Sequence, residues 1–126
     1  EGSVWEGAMA ASHYKLDNLV AIIDRNGLQI TGSTEDVMTL EPFGAKWRAF
    51  GWEVVEVDGN DIEQLVQVLE NTPKASGKPT LIVASTVKGK GISFAENVAK
   101  WHHHVPSNEE YQLAMEEFAK QLEVLQ

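Results

Sequence analysis

The sequence predicts an α/β fold, a parallel sheet flanked by helices. Two observations carry that prediction. Short strand-like segments recur over 19–24, 52–57 and 80–85 in a chain of 126 residues. Segments with helical spacing of apolar residues alternate with them. Such alternation implies parallel pairing with right-handed crossovers.

The elements follow in order. Residues 1–15 read as an alanine-rich helix, with Val4, Ala8 and Ala11 on one face and Trp5 and Met9 beside it. Its small residues allow close approach of a neighbour. The apolar run 19–23 reads as a buried parallel strand reaching its carboxyl edge at Asp24. Residues 31–40 are polar and loop-like. Pro42 suits the first turn of a helix that Gly51 closes, and Phe43, Trp47 and Phe50 form its buried face. A second strand over 52–57 stops at Asp58-Gly59. Asn60 with Glu63 predicts the cap of a third helix, whose stripe is Ile62, Leu65, Val66 and Leu69. After the turn Ser76-Gly77-Lys78-Pro79 comes a third apolar strand over 80–85, then a glycine-containing loop over 88–100. Ser107 with Glu110 makes a capping box for a last helix, along which Tyr111, Met115, Phe118 and Leu122 align.

Composition narrows the function. The length suits one domain or part of one. Nineteen acidic against ten basic residues give a net charge of −9, which disfavours nucleic acid or an anionic membrane as partner. An acidic chain that binds an anionic cofactor needs a metal or focused lysines beside it. There is no cysteine and hence no disulfide framework, which fits a cytoplasmic protein. The longest apolar run is too short to span a bilayer.

Asp24-Arg25-Asn26-Gly27-Leu28-Gln29-Ile30 is the junction that bears on chemistry. Ligands of open α/β sheets sit at the carboxyl ends of strands. Asparagine and backbone carbonyl oxygens there suit a hard cation, Mg²⁺ or Ca²⁺. The bland alternative is a loop-capping asparagine. Two other motifs invite a site. Lys88-Gly89-Lys90-Gly91 lacks the spacing of a Walker phosphate loop, and its lysines are equally well read as solvated. His102-His103-His104 resembles a metal cluster at first sight, yet neighbours in an extended loop point apart and rarely converge on one ion.

The order of these motifs resembles the transketolases. Glu1-Gly2-Ser3-Val4-Trp5-Glu6-Gly7-Ala8-Met9, then His13-Tyr14-Lys15-Leu16-Asp17-Asn18-Leu19, the strand, Asn26, Val87-Lys88-Gly89-Lys90-Gly91-Ile92-Ser93-Phe94 and Trp101-His102-His103-His104-Val105-Pro106 carry it over nearly the whole chain. The pattern is most similar to the N-terminal subunit of two-subunit bacterial transketolases. The resemblance implies a thiamine diphosphate-binding fold. It also implies transfer of a two-carbon ketol unit between ketose and aldose phosphates, as in the pentose phosphate pathway.

The implied cofactors are thiamine diphosphate and Mg²⁺, with Ca²⁺ as an alternative ion. The implied partners are a C-terminal transketolase subunit or domain and sugar phosphates, in an oligomer. By the same resemblance Asn26 and the carbonyl of Leu28 ligate the metal, and Ile30 packs on the cofactor rings. Gly91 lets a loop pass the cofactor edge. His102 lies near the diphosphate and the substrate channel as the catalytic histidine, and Glu1 and Glu6 join an interface carboxylate relay. The plain readings stay open beside these: core for Ile30, a loop histidine packed by Trp101 for His102, and exposed helix-start carboxylates for Glu1 and Glu6. Where His103 stands, the family often has glycine.

The family's Gly-Asp-Gly, whose aspartate ligates the metal, would lie a few residues upstream of Glu1. Residues 1–126 are therefore expected to be the C-terminal portion of the diphosphate-binding domain, inactive as this fragment alone. The glutamate that activates the cofactor belongs in the family to the other domain. Two alternatives accompany this expectation. One is another thiamine diphosphate enzyme, acting on an unusual sugar or as a 2-oxo acid dehydrogenase E1 chain. The other is a non-catalytic interaction fragment.

Overall fold

Along the chain the elements are α1 (Gly2–His13), β1 (Val20–Arg25), β2 (Leu28–Gln29), β3 (Gly32–Ser33), α2 (Thr34–Val37), α3 (Phe43–Ala49), β4 (Glu53–Asp58), α4 (Ile62–Glu70), β5 (Thr80–Ser85), a 3₁₀ turn (Ala99–His102) and α5 (Asn108–Val124). They are seen in a computed structural model that describes residues 1–72 and 76–124. The chain divides into two units, Glu1–Asn26 with Leu40–Thr86, and Gly27–Thr39 with Val87–Gln126.

The first unit holds a parallel sheet in the order β1-β5-β4. Its register places Ala21, Leu81 and Val54 in one row and Ile22, Ile82 and Val55 in the next. One face carries the core: Ala21, Ile23, Leu81, Val83 and Val54 gather with Ala8 and Ala11 of α1 and with Phe43 and Trp47 of α3. The small residues of α1 do allow the expected close approach, since the Trp52 indole Nε1 donates to the Ala8 carbonyl at 2.8 Å. Trp5 packs on Phe43, Trp47 and Phe50 with ring centroids 5.8–6.0 Å apart.

Four details depart from the expectations. The first strand is not buried on both faces. Its burial alternates, and Ile22 is 57% exposed, whereas the central β5 is buried from Thr80 to Ala84. Pro42 is the N-cap residue of α3 rather than part of its first turn. The cap of α4 is Asp61, not Asn60: Asp61 accepts from the Gln64 N–H, and the Gln64 amide donates back to it, while the Asn60 N–H turns to Asp58. Of the predicted α4 stripe, Leu65 is half-buried together with Val68, whereas Ile62, Val66 and Leu69 remain exposed.

The second unit is built from α5, the loop before it and a small hairpin. The capping box at α5 forms as expected, with the Glu110 N–H donating to Ser107 Oγ at 3.2 Å and the Ser107 N–H to Glu110 Oε2 at 2.8 Å. Met115 and Phe118 line an apolar cleft with Ile92, Phe94 and Trp101, though each stays nearly half exposed. The glycine-containing loop is held from α5: Glu117 accepts from the Ser93 hydroxyl and N–H, and the Gln121 amide donates to the Gly91 carbonyl.

Gly89 is fixed by sterics. Its φ is +74°, and a Cβ there would stand 2.7 Å from the Ala95 carbonyl oxygen. Gly89→Ala is therefore expected to destabilise the protein by roughly 1–3 kcal/mol. The check is a thermal melt of the full-length chain, and an unchanged midpoint would show that the loop can yield.

Candidate cofactor site

In the first unit the expected ligand, Asn26, comes just after the sheet's edge strand. Asp24 and Arg25 are the last residues of β1, and both side chains serve the fold. Asp24 accepts a hydrogen bond from the hydroxyl of Thr86, just past β5. The Arg25 guanidinium donates through Nε and Nη2 to Glu41 Oε1 at 3.2 and 3.0 Å, and the other Glu41 oxygen accepts the Phe43 N–H at the start of α3. Asn26 follows, half-buried, as the next residue of the chain. The end of β1 is thus tied to the end of β5 and to the start of α3. Glu1 is the N-cap residue of α1 and precedes the regular helix. Its carboxylate accepts from the Ser3 hydroxyl, and Glu6 is exposed further along the same helix.

In the second unit Gly27 opens the hairpin with φ +74°, a conformation that favours glycine. Its carbonyl accepts from the Thr34 N–H at 2.9 Å and the Thr34 hydroxyl at 3.3 Å, closing the β2–β3 hairpin into α2. Leu28 is half-buried, and Ile30, at the hairpin tip, is 61% exposed rather than part of the core. The 3₁₀ turn that carries His102 lies against β2, so this unit brings Leu28 and His102 into one neighbourhood.

Both backbone groups of Gly91 are used by this unit itself, the N–H on Glu96 and the carbonyl by Gln121. What Gly91 can offer a cofactor is therefore close approach and shape. The three histidines diverge: His102 and His103 are exposed, and His104 turns to Glu110. Among the described residues no group of three or more His, Cys, Asp or Glu side chains is placed to hold a metal. The Glu110 carboxyl is held below the usual carboxylate range, first by the Ser107 N–H and then by His104.

Each unit contributes a donor of the kind a hard divalent ion takes. Asn26 and Leu28 offer neutral oxygens, which suit Mg²⁺ and Ca²⁺ and leave further positions to anionic ligands. Thr86 and Glu41 in the first unit and Glu110 in the second are supports that the sequence alone did not single out. Their bonds to Asp24, Arg25 and His104 join residues far apart in the chain or across a cap, and no local pattern signals them.

The model of the transketolase thiamine diphosphate-binding domain matches residues 1–121. The chain belongs to the transketolase family. It is 49% identical over its whole length to an apulose-4-phosphate transketolase subunit of Phocaeicola vulgatus, of which it covers 45%. Over 121 residues it is 41% identical to a 6-deoxy-6-sulfo-D-fructose transketolase subunit of a Clostridium species, covering 96% of this chain and 44% of that one. The transketolase crystal structure from Campylobacter jejuni superposes with a TM-score of 0.84 at 33% identity, over 93% of this chain and 18% of that one. This transketolase chain thus spans less than half the length of the relatives it matches. The α/β reading holds, and the domain it matches is a thiamine diphosphate-binding one. No helix among the described residues is long and apolar enough to cross a membrane.

Proposed function

We propose that this chain is the diphosphate-binding part of a transketolase subunit that, with a second subunit or domain, transfers a two-carbon ketol unit from a ketose phosphate to an aldose phosphate. One observation carries the reading: the Asn26-Gly27-Leu28 turn follows the carboxyl end of a parallel strand, in a chain whose match to the thiamine diphosphate-binding domain runs almost from end to end. Relatives named as one subunit of a transketolase support a partner subunit. Asn26 and Leu28 would hold Mg²⁺ at the diphosphate through neutral oxygens, and Ile30 would meet the cofactor rings. Gly91 would let its loop pass beside them, and Glu1 and Glu6 would act at the interface with the partner. The cytoplasm is the proposed location.

In the reaction the bond between C2 and C3 of the ketose breaks, and the two-carbon unit joins the aldehyde carbon of the acceptor. The bound cofactor supplies the electron sink for that unit. His102, exposed at the end of its turn, holds or moves a proton at a substrate hydroxyl. A second reading narrows the substrate: the relatives named for apulose 4-phosphate and for a sulfonated fructose favour an unusual sugar over the common pentose phosphates.

The test is ketol transfer by the full-length chain with its partner subunit, Mg²⁺ and thiamine diphosphate, against a panel of ketose donors that includes both. No transfer from any donor would overturn the proposal, and the preferred donor decides the second reading. Within the active complex, His102→Ala is expected to lower kcat/KM by about 10–150-fold, the loss of one hydrogen bond to a charged group at roughly 1.5–3 kcal/mol. A larger loss on changing His103 would show that the working histidine has been misassigned.

A further inference from the structure

The 3₁₀ turn that presents His102 is four residues long, and a turn of that kind has little stability of its own. Something must hold it, and the residues that do so converge on His104. The His104 ring meets Trp101 edge to face at 4.6 Å, and its Nε2 lies 3.0 Å from Glu110 Oε2. That same carboxylate oxygen accepts the Ser107 N–H in the capping box of α5. Trp101, in the turn itself, donates its N–H to the Val98 carbonyl and its indole Nε1 to the Phe94 carbonyl, with its ring 5.5 Å from Phe94. His104 therefore ties the turn on one side to the start of a long helix on the other. Of the triplet, His102 and His103 are exposed and His104 is half-buried.

We propose that His104 is a positioning residue: by bonding Glu110 and bracing Trp101, it fixes the direction in which His102 leaves the turn. The proposal rests on the transketolase reading only in giving His102 a substrate to act on; the holding of the turn is a property of this loop and α5. Glu110 is a strong anchor because its other bonds already fix it to the helix cap. The His104 Nε2–H donates to a charged acceptor, and such bonds contribute more than neutral ones.

The experiment compares unaltered protein, His104→Ala and His104→Gln in the full-length chain with its partner subunit. Gln keeps an N–H that can reach Glu110. Amide hydrogen exchange reads the turn directly and needs no turnover. His104→Ala should speed exchange at Trp101 and His102 about tenfold or more while amides in the middle of α5 keep their rates, and His104→Gln should recover most of the protection. With an active complex, kcat should fall several-fold in His104→Ala, with KM and cofactor affinity unchanged and with recovery in His104→Gln.

Unchanged exchange at Trp101 and His102 would overturn the proposal. So would acceleration spread along all of α5, the mark of a merely structural role. Faster exchange with unchanged kcat in an active complex would overturn it too. Absence of ketol transfer in the unaltered complex would instead sink the functional reading and leave the exchange result to decide this one.

Discussion

Asn26→Ala in the full-length chain, assembled with its partner subunit, is expected to raise the Mg²⁺ concentration needed for half-saturation by thiamine diphosphate at least about 100-fold. Even groups that only support metal ligands typically cost 10–100-fold on removal, so a direct ligand should cost no less. The substitution deletes the amide oxygen and leaves the backbone of the turn in place. The strand end before it is secured by Asp24 on Thr86 and by Arg25 on Glu41, so the fold should survive. Asn26→Asp keeps an oxygen at the same reach and adds charge, and it should recover part of the affinity. Cofactor titrations at a series of Mg²⁺ concentrations separate the effects. If Asn26→Ala binds the cofactor as tightly as unaltered protein at limiting Mg²⁺, the ligand assignment is wrong.

The sheet was legible in the sequence because its strands are short apolar or alternating segments between helical patterns, and period and length suffice to place them. The burial of β1 was not legible. An apolar run such as 19–23 reads the same whether one face of its strand is covered or both, and only the packing over each face distinguishes β1, with Ile22 exposed, from β5. The hairpin β2–β3 escaped because two-residue strands have no period to detect. Gly27 and Gly32, both at positive φ, were its local signs. The cap of α4 slipped by one residue because Asn60 and Asp61 are both good caps, and Glu63 and Gln64 both suit the reciprocal position.

For the candidate site the sequence offered positions and not their supports. The asparagine and the histidine stand in ordered local motifs, so their positions could be named. What holds them could not. The Asp24–Thr86 bond spans two strands, and the His104–Glu110 bond joins a loop to a helix cap that was itself foreseen. Sequence spacing identified Glu110 as a capping residue, but that its carboxylate also serves His104 depends on how the loop folds back.

Trp47→Ala is expected to cost roughly 3–5 kcal/mol, the range for emptying a buried large side chain. Trp47 is 3% exposed and sits among Trp5, Phe43 and Trp52, with the Trp52 ring edge-on at 4.9 Å. Few neighbours there can shift to fill an indole-sized void, since α1, α3 and the sheet all close on it. The sharper test is Trp47→Phe. The Trp47 Nε1 is buried with no hydrogen-bond partner among the described residues, whereas the Trp52 Nε1 donates to the Ala8 carbonyl. Phenylalanine at 47 loses some area but also removes a buried donor whose desolvation costs about 1–3 kcal/mol, so the two effects largely offset each other. Phenylalanine at 52 loses area and a satisfied bond together, and nothing offsets it. Native-state hydrogen exchange at the slowest amides of β5 in the full-length chain measures both. Trp52→Phe should exceed Trp47→Phe by at least about 1 kcal/mol; equal costs would mean that the indole of Trp47 does find a partner and that its burial needs another explanation.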